Sequence, residues 1–249
     1  MFTEKNNSMP MSENLKRWQC ELRSDADKAK IGVLSSFFKT GKGEYGEGDI
    51  FIGLSAPKNR AVSKKYSEIP LDDIAVMLSS PIHEFRLAAL LALVERQRKL
   101  RTDCAGRKII VDFYLAHTAF INNWDLVDLS APTIIGDYMA DIGSADIAFS
   151  LVNSKSMWEQ RIAIVSTLAL IRRGDFAATL RIAEDLLSHP HDLIHKSTGW
   201  MLREVGKRDE AVLRVFLDKH CTSMPRTALR YAIERLDNEI RRYYMTLKR

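Results

Sequence analysis

Long apolar runs and paired cysteines are missing from this 249-residue sequence, and residues 1–10 are polar with no apolar signal core, so we expect no export. Its longest apolar stretches, such as residues 87–94, are far shorter than the roughly 20 residues that span a bilayer. Its three cysteines are widely separated and show no Cys/His ligand spacing, so neither a disulfide framework nor a zinc site is supported. We therefore expect a cytoplasmic protein with three buried free thiols, no metal and no membrane partner.

Signatures of nucleotide binding and nucleophilic chemistry are also absent. Residues 41–48 form a glycine-rich loop, but no Lys-Ser/Thr pair follows it and no strand–helix pattern surrounds it. Three histidines between residues 189 and 195 stand near a helix start, where capping and solvent exposure explain them better than metal binding. No Ser/His/Asp or Cys/His arrangement can be proposed from spacing, so any chemistry must come from other groups.

The basic residues that are present concentrate at the C-terminal end. Residues 196–249 carry 13 Lys and Arg against 7 Asp and Glu, a net of +6, which leaves −1 for the rest of a chain whose net charge is +5. A basic C-terminal segment on a near-neutral body suits an anionic partner, and nucleic acid is the commonest such partner. A merely solvated basic face is the alternative from charge alone.

The hydrophobic pattern is helical almost throughout. Apolar residues recur at i, i+3 and i+4, prolines stand at segment edges, and only residues 49–53 alternate like a short strand. This pattern predicts about a dozen helices of roughly 10 to 18 residues. Polar residues 1–10 are expected to be a flexible tail, or alternatively an ordered cap over a binding surface, and residues 11–249 a single domain.

A weak internal repeat indicates how these helices are arranged. Four segments run from a turn into a helix with an early basic residue, and the last three are spaced like HEAT-like helix pairs. We therefore expect an all-α, right-handed α-solenoid whose concave face presents these residues to a phosphate backbone. The four basic residues are Arg86, Arg161, Lys196 and Arg226.

Three of the four tryptophans have a charged residue at helical spacing, which puts the indole and the charge on one face. Arginine pairs with phosphate, and an indole packs on a sugar or a cationic base. A tryptophan at the edge of the core beside a solvated charge gives the same pattern. The pairs are Trp124 with Asp128, Trp158 with Arg161, and Trp200 with both Lys196 and Arg203.

Asp128 is the candidate for chemistry. It lies in an apolar context near the start of a helix that continues through residues 134 and 135. A carboxylate held beside a tryptophan in a basic groove can stabilise a developing positive charge. The structural alternatives are a helix N-cap or an ion pair with an arginine. Asp125 and Asp137 are rival carboxylates, and Asp125 is expected at the turn.

Three ordered motifs resemble the AlkD-type DNA alkylation repair glycosylases. They are NWDLVD at residues 123–128, followed by Pro132 and the pair Gly136-Asp137, WEQRIAI at residues 158–164 and GWMLRE at residues 199–204. Residues 49–54, before Pro57 and Arg60, are similar to that family's N-terminal turn, and the resemblance extends over residues 15–238.

The resemblance implies a HEAT-like solenoid that binds duplex DNA and excises N3- and N7-alkylated purines without a metal, an organic cofactor or base flipping. We expect it to act as a monomer. The resemblance assigns the catalytic carboxylate to Asp128, the sugar-contacting indoles to Trp124 and Trp200, and the catalytic-groove arginine to Arg161. The implied DNA-binding residues, some of them inferred from neighbouring positions, are Arg203, Lys196, Arg60, Arg172, Arg173, Phe37 and Tyr45.

Two positions depart from the family. A tyrosine of some relatives is replaced here by Phe37 and Phe38, so its hydroxyl contact is either lost or supplied by Tyr45. A lysine of some relatives aligns with Ala169, and the arginines at 172 and 173 are close enough to replace it. These changes bear on affinity and lesion preference more than on the reaction.

The implied chemistry suits these residue types. An N-alkylated purine is already cationic and leaves as a neutral base without a general acid, while the deoxyribose acquires oxocarbenium character. Asp128 would stabilise that cation and position the attacking water between the two indoles.

Two other functions stay open at the level of sequence. One is a HEAT-like protein that binds branched or distorted DNA without cutting it, and the presence of Asp128, Trp124 and Trp200 together favours the enzyme over this alternative. The other is a protein-binding scaffold, which predicts no DNA affinity and little dependence on salt.

Overall fold

The computed structural model describes residues 12–247, and all regular secondary structure in this range is helical. Ile50 and Ile82 form an isolated parallel bridge, but no strand occurs among the described residues. Within the same range no helix has both the length and the apolar character needed to cross a membrane. The predicted all-α class is confirmed, while the predicted tail at residues 1–10 lies outside the described residues.

The chain divides into two compact units after Arg96. In the first unit Trp18 is fully buried and stacks on Tyr66 with ring centroids 5.2 Å apart. Short 3-10 turns occur at Lys28–Lys30 and Lys64–Tyr66. Its helices are α1 (Glu13–Ser24), α2 (Ile31–Phe37), α3 (Ala56–Ser63), α4 (Leu71–Leu78) and most of α5 (His83–Lys99).

The second unit is arranged as an α-solenoid, in which helices two or three places apart in the chain pack against one another. Its helices are α6 (Cys104–Ala116), α7 (Trp124–Ala131), α8 (Asp137–Ile142), α9 (Asp146–Val152), α10 (Met157–Ser166), α11 (Leu168–Arg172), α12 (Ala177–Asp185), α13 (Asp192–Arg208), α14 (Glu210–His220), α15 (Arg226–Ala232) and α16 (Asn238–Thr246). Thr118–Phe120 is a 3-10 turn. Helix α10 packs against both α7 and α13, and α13 packs against α15.

Several predicted helices are broken into shorter pieces, and local chemistry explains each break. A π-helical segment, Pro132–Gly136, joins α7 to α8, because Pro132 has no N–H for the usual bond to the residue 128 carbonyl. Between α10 and α11, the hydroxyls of Ser166 and Thr167 donate to the carbonyls of residues 163 and 164. Such side-chain bonds compete with the regular helical ladder.

Two glycines allow close helix approach around the site. A Cβ on Gly136 would lie 2.2 Å from the Ser166 carbonyl oxygen, so a larger residue cannot fit between this segment and α10. A Cβ on Gly199 would lie 2.4 Å from the Ala228 carbonyl oxygen. Both positions belong to the motifs that carry the family resemblance, and both set how closely neighbouring helices stack.

Residues 49–53 are not a strand, which corrects the alternating pattern of the sequence. The buried Glu84 carboxylate accepts hydrogen bonds from the backbone N–H groups of Ile52, Gly53 and Leu54, at 3.0, 2.8 and 3.2 Å. These groups are therefore satisfied without a sheet partner.

The prediction of three buried thiols is wrong for two of them. Cys221 is buried, but Cys20 and Cys104 are exposed. Cys20 lies off the buried face of α1, which is formed by Leu15, Trp18 and Leu22, and Cys104 is the first residue of α6.

The predicted row of groove-facing basic residues is also wrong at two positions. Arg86 and Arg161 are each only 4% exposed, because each is held by a carboxylate. In the first unit Arg86 pairs with Asp49 at 2.7 Å, and in the second unit Arg161 pairs with Asp128 at 2.7 Å. A buried, paired arginine is not available to a phosphate backbone.

Candidate active site

The start of α7 sets the position of Asp128. Asn123 is the N-cap, and its side-chain oxygen accepts from the Trp124 N–H at 2.8 Å. Asp125 lies in the first turn, as expected, and accepts from the Leu126 N–H at 2.9 Å. Asp128 follows Trp124 by one helical turn and so lies on the same face of α7. The N-cap alternative for Asp128 is therefore excluded.

Asp128 forms a two-point ion pair with Arg161 of α10. The Nε and Nη2 groups of Arg161 donate to Oδ1 and Oδ2 of Asp128 at 2.9 and 2.7 Å. Arg161 also donates through Nη1 to the Leu193 carbonyl oxygen of α13. One guanidinium thus ties together three helices and fixes both carboxylate oxygens, as the arginine alternative predicted.

The pair is buried unequally. The Arg161 side chain is 5% exposed, whereas the Asp128 side chain is 20% exposed. Burial raises the pKa of Asp128 above its ordinary value, although the charge and hydrogen bonds of Arg161 oppose this shift. A carboxylate offers about four acceptor positions, and Arg161 occupies two of them. No other described side chain donates to these oxygens, so the accessible edge can accept from an incoming ligand or water.

Trp200 lines a basic cleft farther along α13. The cleft has a volume of about 510 Å³ and lies between the end of α11 and α13. Three cationic residues line this cleft, against one acidic residue, Glu204. We call it the Trp200 cleft, and its lining consists of Leu168, Ile171, Arg172, Trp200, Glu204, Lys207 and Arg208. Trp124 and Asp128 are not part of this lining.

Comparisons with known proteins place the chain in a family. The family model described as "DNA alkylation repair enzyme" matches residues 18–236. This chain belongs to the DNA alkylation repair enzyme family. A solved structure titled "Predicted DNA alkylation repair enzyme from Enterococcus faecalis" has the same fold, with a TM-score of 0.68 and 16% identity over 86% of this chain and 98% of that one. No curated protein matches the chain.

Membership of a DNA alkylation repair family makes the cations near the tryptophans relevant, and two of them were missed from the sequence. Lys207 and Arg208 end α13 and line the Trp200 cleft. Another basic pair, Arg172 and Arg173, stands at the C-terminal end of α11, and each residue of the later pair lies 35 positions after its counterpart there. This repeat of basic pairs at helix ends is the signal in the sequence that points to Lys207 and Arg208, whereas the repeat of basic residues at helix starts does not include them.

The other predicted DNA-binding residues of the second unit differ in whether a carboxylate already pairs with them. Arg172 lines the Trp200 cleft, is exposed and has no carboxylate partner among residues 12–247. Arg173 pairs with Asp141, and Arg203 pairs with Glu234. Lys196 pairs with its neighbour one turn earlier, Asp192, at 2.8 Å. The last three must therefore exchange an acidic partner for phosphate if they contact DNA.

The first unit contains three of the predicted DNA-binding residues, Arg60, Phe37 and Tyr45. Arg60 is exposed in the last turn of α3. Phe37 is 60% exposed and meets Phe38 edge to face, whereas Phe38 is buried and stacks on Phe51. Tyr45 is half-buried in the glycine-rich loop. Of the two phenylalanines, only Phe37 is accessible to a ligand.

No group of three or more potential His, Cys, Asp or Glu ligands able to hold a metal ion occurs in the described part of the chain. The predicted histidine capping is confirmed at one position, since the His191 Nδ1 accepts from the Leu193 N–H at the start of α13.

Proposed function

We propose that this protein is a monofunctional DNA glycosylase that hydrolyses the N-glycosidic bond of N3- and N7-alkylated purines in duplex DNA. The observation that carries the proposal is the Asp128 carboxylate, which is fixed at both oxygens by Arg161 yet remains partly exposed. Membership of the DNA alkylation repair family supports alkylated DNA as the substrate class.

The reaction follows from the charge of the substrate. The bond between the sugar C1′ and the purine nitrogen breaks, and its electron pair neutralises the cationic base, so no general acid is needed. The positive charge that develops on the deoxyribose faces the Asp128 carboxylate, and an electrostatic stabiliser of this kind contributes on the order of 100- to 1,000-fold in rate. Water then adds to C1′ and releases its proton, through Asp128 or directly to solvent, to leave an abasic site.

The neighbouring residues have separate roles in this proposal. The indole of Trp124, one turn from Asp128, and that of Trp200 pack on the sugar and backbone of the damaged strand. Arg161 is buried and fully engaged, so it acts as a positioning residue that orients Asp128 and favours its ionised form. Arg172 and Arg208 of the Trp200 cleft contact phosphate. Because all these groups act on the sugar and backbone, the lesion can remain stacked in the duplex rather than being flipped out.

The test is release of free base from duplex DNA that contains N7-methylguanine, together with the appearance of alkali-labile abasic sites. Wild-type protein is expected to release base, and Asp128→Asn to bind the same DNA but release base on the order of 100- to 1,000-fold more slowly. Asp125→Asn is the matched control, because it removes a carboxylate three residues away on the same helix. Binding without release by the wild-type protein would identify a non-catalytic DNA-binding protein instead.

A further inference from the structure

A second cavity of the same unit takes no part in the proposed reaction. It has a volume of about 780 Å³ and lies among the end of α5, the start of α6 and the run from Thr133 into α8. Asp137 and Asp141 follow Asp128 by 9 and 13 residues, which puts this cavity roughly 13 to 20 Å farther along that helical run. We call it the Arg107 cavity, and its principal residues are Gln97, Arg98, Arg101, Arg107, Asp137 and Asp141.

The lining of the Arg107 cavity has an excess of positive charge. Five cationic side chains face two acidic ones. Asp141 is shared by Arg107 and Arg173, so one carboxylate serves two of the cations. Arg98 and Arg101 are exposed and have no carboxylate within ion-pair distance among residues 12–247. These free guanidinium groups fit an anion, and phosphate matches their donor geometry best.

The interior of the cavity holds polar groups that lack partners. Gln97 is 2% exposed; its Nε2 donates to the Ile134 carbonyl at 3.1 Å, but its Oε1 is buried with no hydrogen-bond donor among the described residues. Arg107 is 4% exposed and its Nε is likewise buried without an acceptor. The Asp137 carboxylate accepts no hydrogen bond from a described side chain. Buried polar groups normally have partners, so the Gln97 Oε1, which lacks a donor, and the Arg107 Nε, which lacks an acceptor, point to a ligand that supplies both.

We propose that the Arg107 cavity binds a nucleoside monophosphate unit, with its phosphate at Arg98 and Arg101 and its base or sugar donors at Gln97 and Asp137. The volume falls within the roughly 300 to 1,000 Å³ typical of sites for small organic ligands and exceeds what a lone inorganic anion fills. Such a unit has two sources, a free nucleotide or an unpaired nucleotide of a DNA strand.

The exposed thiol of Cys104 lines the cavity and provides a direct reporter. The full-length protein is treated with a maleimide, and alkylation of Cys104 is followed by mass spectrometry with the exposed Cys20 as the internal reference. dGMP is expected to slow the alkylation of Cys104 about tenfold or more, and that of Cys20 not at all. If instead only an oligonucleotide with a single-stranded overhang protects Cys104, the ligand is an unpaired strand nucleotide.

Three results would overturn the proposal. They are no protection of Cys104 by either source, equal protection by inorganic phosphate at the same concentration, and equal protection by a blunt duplex of the same length. None of these measurements uses alkylated DNA, so the outcome is independent of the glycosylase assay.

Matched variants separate a built site from general charge. The double variant Arg98→Ala/Arg101→Ala is expected to raise the half-protecting concentration about tenfold or more, since each charged hydrogen bond is strong. The double variant Arg241→Ala/Arg242→Ala removes the same charge from α16, where both arginines are exposed, and is expected to change nothing. Equal weakening by the two variants would show non-specific attraction and contradict the proposal.

Discussion

Asp128 and Arg161 meet through two nearly equal hydrogen bonds, at 2.7 and 2.9 Å, with the carboxylate more exposed than the guanidinium. This arrangement resolves a conflict in the proposed role of Asp128. A carboxylate that is buried tends to become neutral, whereas an electrostatic stabiliser must be ionised. The two hydrogen bonds from the Arg161 guanidinium favour the ionised form of Asp128 and fix the direction of its carboxylate. The exposed edge of this carboxylate is left to face the sugar.

Arg161→Lys tests this division of roles. Lysine keeps the charge but cannot make the two-point contact, so it lowers the pKa of Asp128 less than arginine does. Asp128 must be ionised to act, and activity is therefore lost as the pH falls through its pKa. We expect the acid limb of the pH–rate profile for base release to move to higher pH, in addition to a loss on the order of 100-fold at every pH from misplacement of the carboxylate.

Arg181→Lys, at an exposed position of α12, is the control for this measurement and is expected to leave the profile unchanged. A uniform loss of rate by Arg161→Lys with no movement of the acid limb would indicate a purely structural role for the arginine.

The sequence predicted the helical class, because helical periodicity runs through almost the whole chain, and it left pairing with an arginine as one of two structural alternatives for Asp128. Three details did not follow from it. Helical periodicity does not report that Pro132 converts a turn of the helix into a π segment. An early basic residue looks the same whether it faces solvent or, like Arg161, a buried carboxylate. The alternation of residues 49–53 resembles a strand because nothing local shows that Glu84, some 30 residues later, takes the backbone donors.

The Trp200 cleft gives a prediction about salt. Arg172→Ala and Arg208→Ala are each expected to weaken binding to duplex DNA and to reduce the slope of log K against log salt concentration by about one, since each removes a phosphate contact. Lys207→Ala is expected to have a smaller effect, because Lys207 is already paired with Glu204 at 2.6 Å. Binding titrations between low and moderate salt measure these slopes. Arg181→Ala should leave the slope unaltered, and an unaltered slope for Arg208→Ala would remove the cleft from the DNA interface.

Any side chain at position 136, in place of Gly136, is expected to lower the stability of the protein. In Gly136→Ala the new Cβ would press on the Ser166 carbonyl oxygen, which belongs to the backbone and cannot rotate away. We expect a loss of about 1 to 3 kcal/mol in the free energy of unfolding, measured by urea titration. In Gly32→Ala the new Cβ of a helical residue would have nothing within 4 Å, so this variant should be neutral or stabilised by up to about 1 kcal/mol. Equal stability of the two variants would mean that the helices at Gly136 can separate.

The buried network of the first unit predicts a pH-dependent stability. Asp49 accepts from His83 at 3.0 Å and pairs with Arg86 at 2.7 Å, and all three side chains are nearly inaccessible. Burial alone would raise the pKa of Asp49, but the hydrogen bonds and charges of His83 and Arg86 outweigh it, and its pKa lies below the ordinary value. A carboxyl group whose pKa is lowered by folding stabilises the protein above its unfolded pKa of about 3.9, and this contribution is lost as the pH falls through the folded value.

Asp49→Asn is therefore expected to cost about 3 to 5 kcal/mol near neutral pH, because it leaves the Arg86 charge buried without a partner. The difference from the wild type should shrink as the pH falls below about 4, because the unfolded chain then takes up the Asp49 proton, and it should be smallest below the lower pKa of the folded carboxyl. Hydrogen exchange of the backbone amides of residues 50–54, together with urea unfolding, measures the effect in this unit. Asp112→Asn breaks an exposed pair with Lys108 and should leave stability unchanged, since exposed ion pairs contribute little. A difference between Asp49→Asn and the wild type that is constant from neutral to acidic pH would show that Asp49 stabilises the unit by packing rather than by its charge.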